Sequence, residues 1–155
     1  MRHLIISMAL ILFSSCSSDD EQFIVSAAID ISVKDSEGND LLNPENVNSF
    51  KENQINIFYV VNGQELIFYN GDLAHPKGFF IYKEEKSEFR IRVFPNMDKN
   101  LELPVTYIKW NSTDTDTIRC SIERKSNSEI VTKVWLNENL VWEGYETERF
   151  FEIIK

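Results

Sequence analysis

The residues best suited to recognise a ligand are three aromatics near the C-terminus, Trp135, Trp142 and Tyr145. Asn137-Glu138-Asn139-Leu140 reads as a tight turn between two apolar runs. With Glu138 and Asn139 as its central pair, Trp135 and Trp142 face each other across a hairpin, beside Lys133 and with Tyr145 close by. Exposed, two stacked indoles form a platform for a sugar ring or a partner's side chain. Buried, they form a clasp within the core, the commoner fate of cross-strand tryptophans. Leu136 and Val141, on the opposite parity, are apolar as well, so the alternation leaves both readings open.

Other reactive residue types lack the company that catalysis needs. His75 stands in the loop Leu73-Ala74-His75-Pro76. A histidine metal site needs further nitrogen or sulfur ligands, and a Ser-His-Asp hydrolase needs a G-x-S-x-G elbow, which none of the five glycines supplies. Cys120 lies between Ile118 and Ile122 on the apolar parity of a strand. A thiol there is a small buried hydrophobe rather than a nucleophile. Asp35, Glu37, Asn39 and Asp40 surround Gly38 with hard oxygens that suit Ca²⁺, but without the spacing and closing Glu of a calcium-binding EF loop. A glycine-centred turn whose carboxylates bond nearby backbone explains them better. Asp114 and Asp116 meet the same answer. Among 25 acidic residues some pair falls at glycosidase spacing by chance, and such a pair carries meaning only in a cleft with one raised pKa. No phosphate-binding glycine loop is present. The sequence therefore calls for neither metal nor cofactor.

The framework around these residues is built from strands. The chain has 155 residues, 43% of them hydrophobic, which fits one domain and excludes a disordered one. Its 16 basic against 25 acidic residues give a net charge of −9, opposite to what a nucleic-acid binder presents to phosphate. Apolar residues alternate at Phe23, Val25, Ala27, Ile29, Ile31 and Val33, again over 55–61, and again at Phe89, Ile91 and Val93. Asn62-Gly63 supplies a two-residue hairpin turn. Further strands are expected over 79–82, 105–110, 118–122, 130–136, 140–142 and 150–154. Roughly nine or ten short strands at this spacing predict an all-β fold: a single antiparallel β-sandwich, immunoglobulin-like or transthyretin-like, with a small β-barrel as the alternative.

At the N-terminus, Arg2 and His3 precede the run Leu4 to Phe13, apolar but for Ser7, which has the length of a signal-peptide core and is about half that of a membrane span. Leu12-Phe13-Ser14-Ser15-Cys16 resembles a bacterial lipobox, which implies cleavage before Cys16 and lipid attachment to it. The residues behind it, Ser17, Ser18, Asp19, Asp20 and Glu21, resemble the acidic export signal of Bacteroidota surface lipoproteins. Asp35-Ser36-Glu37-Gly38-Asn39-Asp40-Leu41-Leu42-Asn43-Pro44 is similar to the D-x-x-G-x-D-L-L-N-P loop near the start of many small lipoproteins of that group. These resemblances imply a signal peptide over 1–15, a lipidated Cys16 with an acidic tether over 16–22, and a β-sandwich domain over 23–155. They imply anchorage at the outer membrane by the N-terminal lipid, at the cell surface or, alternatively, on the periplasmic face. Loss of residues 1–15 takes Arg2 away and moves the charge to −10. Cys120 is then the one thiol besides Cys16, so the core must hold without an internal disulfide.

The expected function is a non-catalytic binding or accessory module for a glycan or an envelope or surface protein. One alternative is a glycan-directed hydrolase whose carboxylates the sequence does not locate. The other is an inhibitor of a cationic host enzyme such as lysozyme, steered by the negative charge.

Overall fold

The computed structural model describes residues 22–85, 88–145 and 147–155. The signal segment, Cys16, Asp19, Asp20 and Glu21 lie outside the described residues. Eleven strands follow one another: β1 (Ile24–Ser26), β2 (Ile29–Lys34), β3 (Asn56–Val61), β4 (Gln64–Ile67), β5 (Phe79–Lys83), β6 (Phe89–Val93), β7 (Val105–Lys109), β8 (Thr115–Lys125), β9 (Ser128–Leu136), β10 (Asn139–Glu143) and β11 (Phe150–Ile154). They form two packed sheets. The larger runs β1-β9-β8-β7-β3-β4, with β10 also on β9, and the smaller runs β11-β2-β6-β5. The fold is a β-sandwich, as the strand spacing predicts.

Alternation explains which residues close the sandwich. Ile29, Ile31 and Val33 of β2 have no exposed surface, and neither do Ile91 and Val93 of β6 or Ile118 and Cys120 of β8. Trp110, just after β7, is fully buried and stacks on Phe50 with ring centres 5.1 Å apart. Asn62 and Gly63 both take positive φ (51° and 78°) and close the β3–β4 hairpin expected of that pair.

Two features depart from the sequence reading. The sheets are mixed, because β1 pairs parallel with β9 and β11 pairs parallel with β2. The alternating run from Phe23 to Val33 is also not one strand: β1 belongs to the larger sheet and β2 to the smaller, with the chain crossing at Ala27-Ala28. Only the second half faces the interior: Ile29, Ile31 and Val33 are fully buried, whereas Phe23 and Val25 are 50% and 59% exposed, so the core face expected from Phe23 onward begins at Ala27.

The last strand is secured across the sandwich at its C-terminal end. The Lys155 amide donates to the Lys34 carbonyl, and its Nζ lies 2.7 Å from Asp114 and 2.6 Å from Asp116 of β8. Asp116 is almost fully buried and also accepts hydrogen bonds from Trp110 Nε1 and Asn137 Nδ2, each at 2.7 Å. Burial pushes its carboxyl upward, but the bonds from Lys155, Asn137 and Trp110 outweigh this and hold it below the usual carboxylate value. The sequence reading placed Asp116 in a loop turn. It is instead a buried strand residue, because β8 begins at Thr115.

A group held ionised in this way adds stability above its unfolded pKa, and that stability is lost as the pH falls through the folded value. Asp116→Asn is expected to cost about 2–4 kcal/mol at pH 7 in urea unfolding, since it strands part of a buried network. Its deficit against the unsubstituted protein should shrink on acidification from pH 5 towards pH 2. A deficit that stays constant over that range would contradict this role for Asp116.

Candidate functional site

The site is a notch in the edge of the larger sheet. One edge of β9 pairs with β8 along most of its length. The other edge is shared: β1 covers Ser128 to Ile130, and β10 covers Lys133 to Leu136. Between them the ladder is interrupted at Val131 and Thr132, whose backbone groups still need partners. The Gly144 amide donates to the Thr132 carbonyl at 3.1 Å. Arg149, one residue before β11, reaches across from the smaller sheet. Its Nη2 donates to the Val131 carbonyl at 2.9 Å and its Nη1 to the Ala28 carbonyl at 2.7 Å.

A cleft of about 680 Å³ opens over this notch. Its floor is the Arg149 guanidinium, whose Cζ sits 4.8 Å from the centre of the Trp142 ring. Trp142 is 8% exposed, and its Nε1 donates to Thr147 Oγ1 at 3.1 Å. Tyr145 stands on the rim at 65% exposed, with its hydroxyl donating to Glu123 Oε2 at 2.7 Å. That bond holds the phenol above its ordinary pKa and the Glu123 carboxyl below its own. On the opposite wall Arg92 grips Asp30 through a two-pronged fork, Nε to Oδ1 and Nη2 to Oδ2, both at 2.7 Å. Phe94 completes that wall.

The electrostatics of the cleft are lopsided. Asp30 is only 5% exposed, and its charge is answered by the Arg92 fork. Arg149 is half-buried, and desolvation pulls its pKa down, although a guanidinium stays protonated under any ordinary condition. Among the described residues no carboxylate lies within ion-pair distance of it, and its Nε is buried without a partner. The cleft thus joins a cation, a neutralised ion pair and aromatic walls.

The sequence candidates are sorted by the β9–β10 turn and the bulge that follows it. Trp142 and Tyr145 both line the cleft, whereas Trp135 does not. The turn's central pair is Asn137-Glu138, with φ of 47° and 73°, and not Glu138-Asn139. Trp135 therefore sits opposite Leu140, while Trp142 sits opposite Val134 after an irregularity at Val141. The expected face-to-face pairing of Trp135 with Trp142 is thus replaced by indoles on opposite sides of the sheet. The turn at Asn137-Glu138 alone would set Trp142 opposite Lys133, on the face of Trp135; the bulge at Val141 turns it to the face of Val134.

The other candidates take structural places. Asp35 Oδ1 accepts the Glu37 and Asn39 amides, and Asp40 Oδ1 accepts those of Leu42 and Asn43, the local bonding expected of a glycine-centred turn. Gly38 within it takes a φ of 86°. Asp40 Oδ2 also accepts the Phe89 amide at 2.8 Å, tying this loop to β6. His75 stacks on Phe80 with ring centres 4.0 Å apart and borders an apolar cavity of about 310 Å³. Cys120 is fully buried, and burial pushes its thiol up to about 12. Arg149, Arg92 and Asp30 carry no motif that marks them as site residues; Asp30 and Arg92 fall on the polar parity of their strands. The chain matches no protein-family profile, no curated protein and no solved structure.

Arg149→Met is expected to leave the Val131 and Ala28 carbonyls without donors and to lower stability by about 2–4 kcal/mol in urea unfolding. A change under about 0.5 kcal/mol would mean that other groups or water satisfy the notch equally well.

Proposed function

We propose that the protein is a non-catalytic binding module, anchored at the outer membrane through a lipid on Cys16 and displayed at the cell surface, and that it recognises glycans through the notch cleft. The cleft carries this reading: it is concave, it is large enough for a sugar unit, and it combines an exposed phenol at Tyr145 with fixed polar groups at Asp30, Arg92 and Arg149. Aromatic faces bind the apolar faces of sugar rings, and fixed polar groups orient their hydroxyls. Cys16 and the acidic residues Asp19, Asp20 and Glu21 support the anchor and the surface placement.

Among the described residues, the carboxylates whose pKa values are displaced, Asp35, Glu88, Asp116 and Glu123, are all displaced downward. A glycosidase acid needs the opposite displacement, so this pattern favours a binding module over a hydrolase. A lipid anchor would confine such a module to the membrane plane and raise its effective concentration against a polymeric ligand.

Two measurements test the reading. A protease that cannot cross the outer membrane should remove the domain from intact cells as fully as from lysed ones. Survival in intact cells would place it on the periplasmic face. On a glycan array, Tyr145→Ala should lose binding at least about tenfold while leaving stability within about 0.5 kcal/mol, as befits an exposed side chain. Wild-type protein that binds no glycan but captures cationic enzymes in a salt-sensitive way would overturn this reading in favour of an inhibitor.

A further inference from the structure

We infer that the cleft selects a saccharide unit bearing a carboxylate, with Arg149 as the group that receives it; this rests on the glycan-binding reading above. The charge balance of the cleft is the starting point. Asp30 and Arg92 cancel through their fork, leaving Arg149 as a cation without an ion-pair partner among the described residues. The remaining lining groups named above, Tyr145, Trp142, Thr147 and Phe94, carry no charge at neutral pH. Nearby charges are engaged with one another outside the cleft: Lys133 with Glu143 at 2.7 Å, and Glu129 with Lys99 at 3.2 Å. Glu123 is occupied by Tyr145 and by Lys125 at 3.1 Å. Among the described residues, the cleft lining thus carries two guanidiniums against one carboxylate, on a molecule whose net charge is −9.

The donor count points the same way. Of the five N–H groups of Arg149, two are spent on the Val131 and Ala28 carbonyls. One N–H on each of Nη1 and Nη2 remains without an acceptor among the described residues, while the Nε is buried out of reach. Trp142 beside the guanidinium and the two carbonyls it bonds hold the group in place, so an incoming carboxylate meets a prepositioned cation rather than a flexible one. Trp142 is covered by Arg149, so its face is not free for a sugar. The exposed ring of Tyr145 on the rim supplies that contact instead. The ligand that satisfies both requirements is a sugar ring with an acid substituent: the ring against Tyr145, the carboxylate over Arg149. The negative charge of the whole molecule repels such a ligand at long range. At about 0.15 M salt, however, this repulsion is screened beyond roughly 8 Å, while contacts inside the cleft are screened far less.

The test compares a glucuronate-containing tetrasaccharide with the same tetrasaccharide after its carboxylates have been reduced to alcohols. Both are titrated at 0.15 M salt by calorimetry, with the Trp142 indole and Tyr145 ring signals followed by NMR. The acidic form should bind roughly tenfold to a hundredfold more tightly, the range expected of a charge-assisted fork. Arg149→Gln should remove the preference while keeping weak binding of the reduced form. Equal affinity of wild-type protein for the two forms would overturn the inference and leave the glycan-binding reading standing. Binding of neither at millimolar concentration, with both aromatic signals unmoved, would overturn the two together. Because wild-type protein is compared across two ligands, the result decides the matter even if Arg149→Gln does not fold.

Discussion

The arrangement turns on one demand: every backbone group on the outer edge of β9 needs a partner. Two short strands share that edge, one parallel and one antiparallel, and they cannot meet without collision because they arrive from opposite directions. The two residues between them are served by Gly144 and by the side chain of Arg149. An arginine thus stands in for a missing piece of strand. The same contact joins the two sheets, since Arg149 leads directly into β11 and its own carbonyl accepts the Asp30 amide at 2.9 Å. The cleft is the space left above this repair.

Seen along β11, the logic is symmetrical. Arg149 fastens one end to β9, and Lys155 fastens the other to Asp114 and Asp116. Ion pairs and donor–acceptor contacts of this kind contribute little net energy compared with a well-packed apolar core. Their effect is to make any other placement of the strand costly, because a shift leaves a buried charge or carbonyl unanswered. That matters for a strand docked in parallel register at an edge, where no tight turn ties it to its neighbour. The apolar interior of Ile29, Ile31, Val33, Ile91 and Ile153 supplies the driving force, and the two cations choose the register.

Placing recognition at this notch joins stability to binding. The guanidinium that completes the sheet is the group a ligand would meet, and Trp142 beside it helps hold it in place. Such a site needs little rearrangement to bind, because packing and backbone contacts already orient its polar groups. The outer face of the smaller sheet is organised differently. There Arg90 lies 4.0 Å from the Phe150 ring centre and is surrounded by Glu84, Glu88 and Glu148, so its charge is already answered. The contrast between a satisfied arginine on the sheet face and an unanswered one in the notch is what distinguishes the cleft from the rest of the surface.

Period-two alternation and turn chemistry were enough to read the strands, the sandwich and the buried places of Cys120 and Ile118 from the amino-acid order, because side-chain parity in a strand is a local property. The Asn62-Gly63 turn was legible for the same reason. Three things were not. The crossing at Ala27-Ala28 left no mark, since apolar residues keep the same parity on both sides of it although Phe23 and Val25 are exposed and Ile29, Ile31 and Val33 are buried. The register of the β9–β10 hairpin depended on whether Asn137-Glu138 or Glu138-Asn139 took positive φ, a choice between residues of similar turn preference. The bulge at Val141, equally unmarked in the sequence, then turned Trp142 away from the face of Trp135 and kept only Trp142 in the cleft, beside Tyr145. The roles of Arg149, Lys155 and Asp116 arise from contacts with residues distant in sequence, such as the 41 positions between Lys155 and Asp114. No local pattern encodes a partner that far away; it exists only once the two sheets have closed on each other.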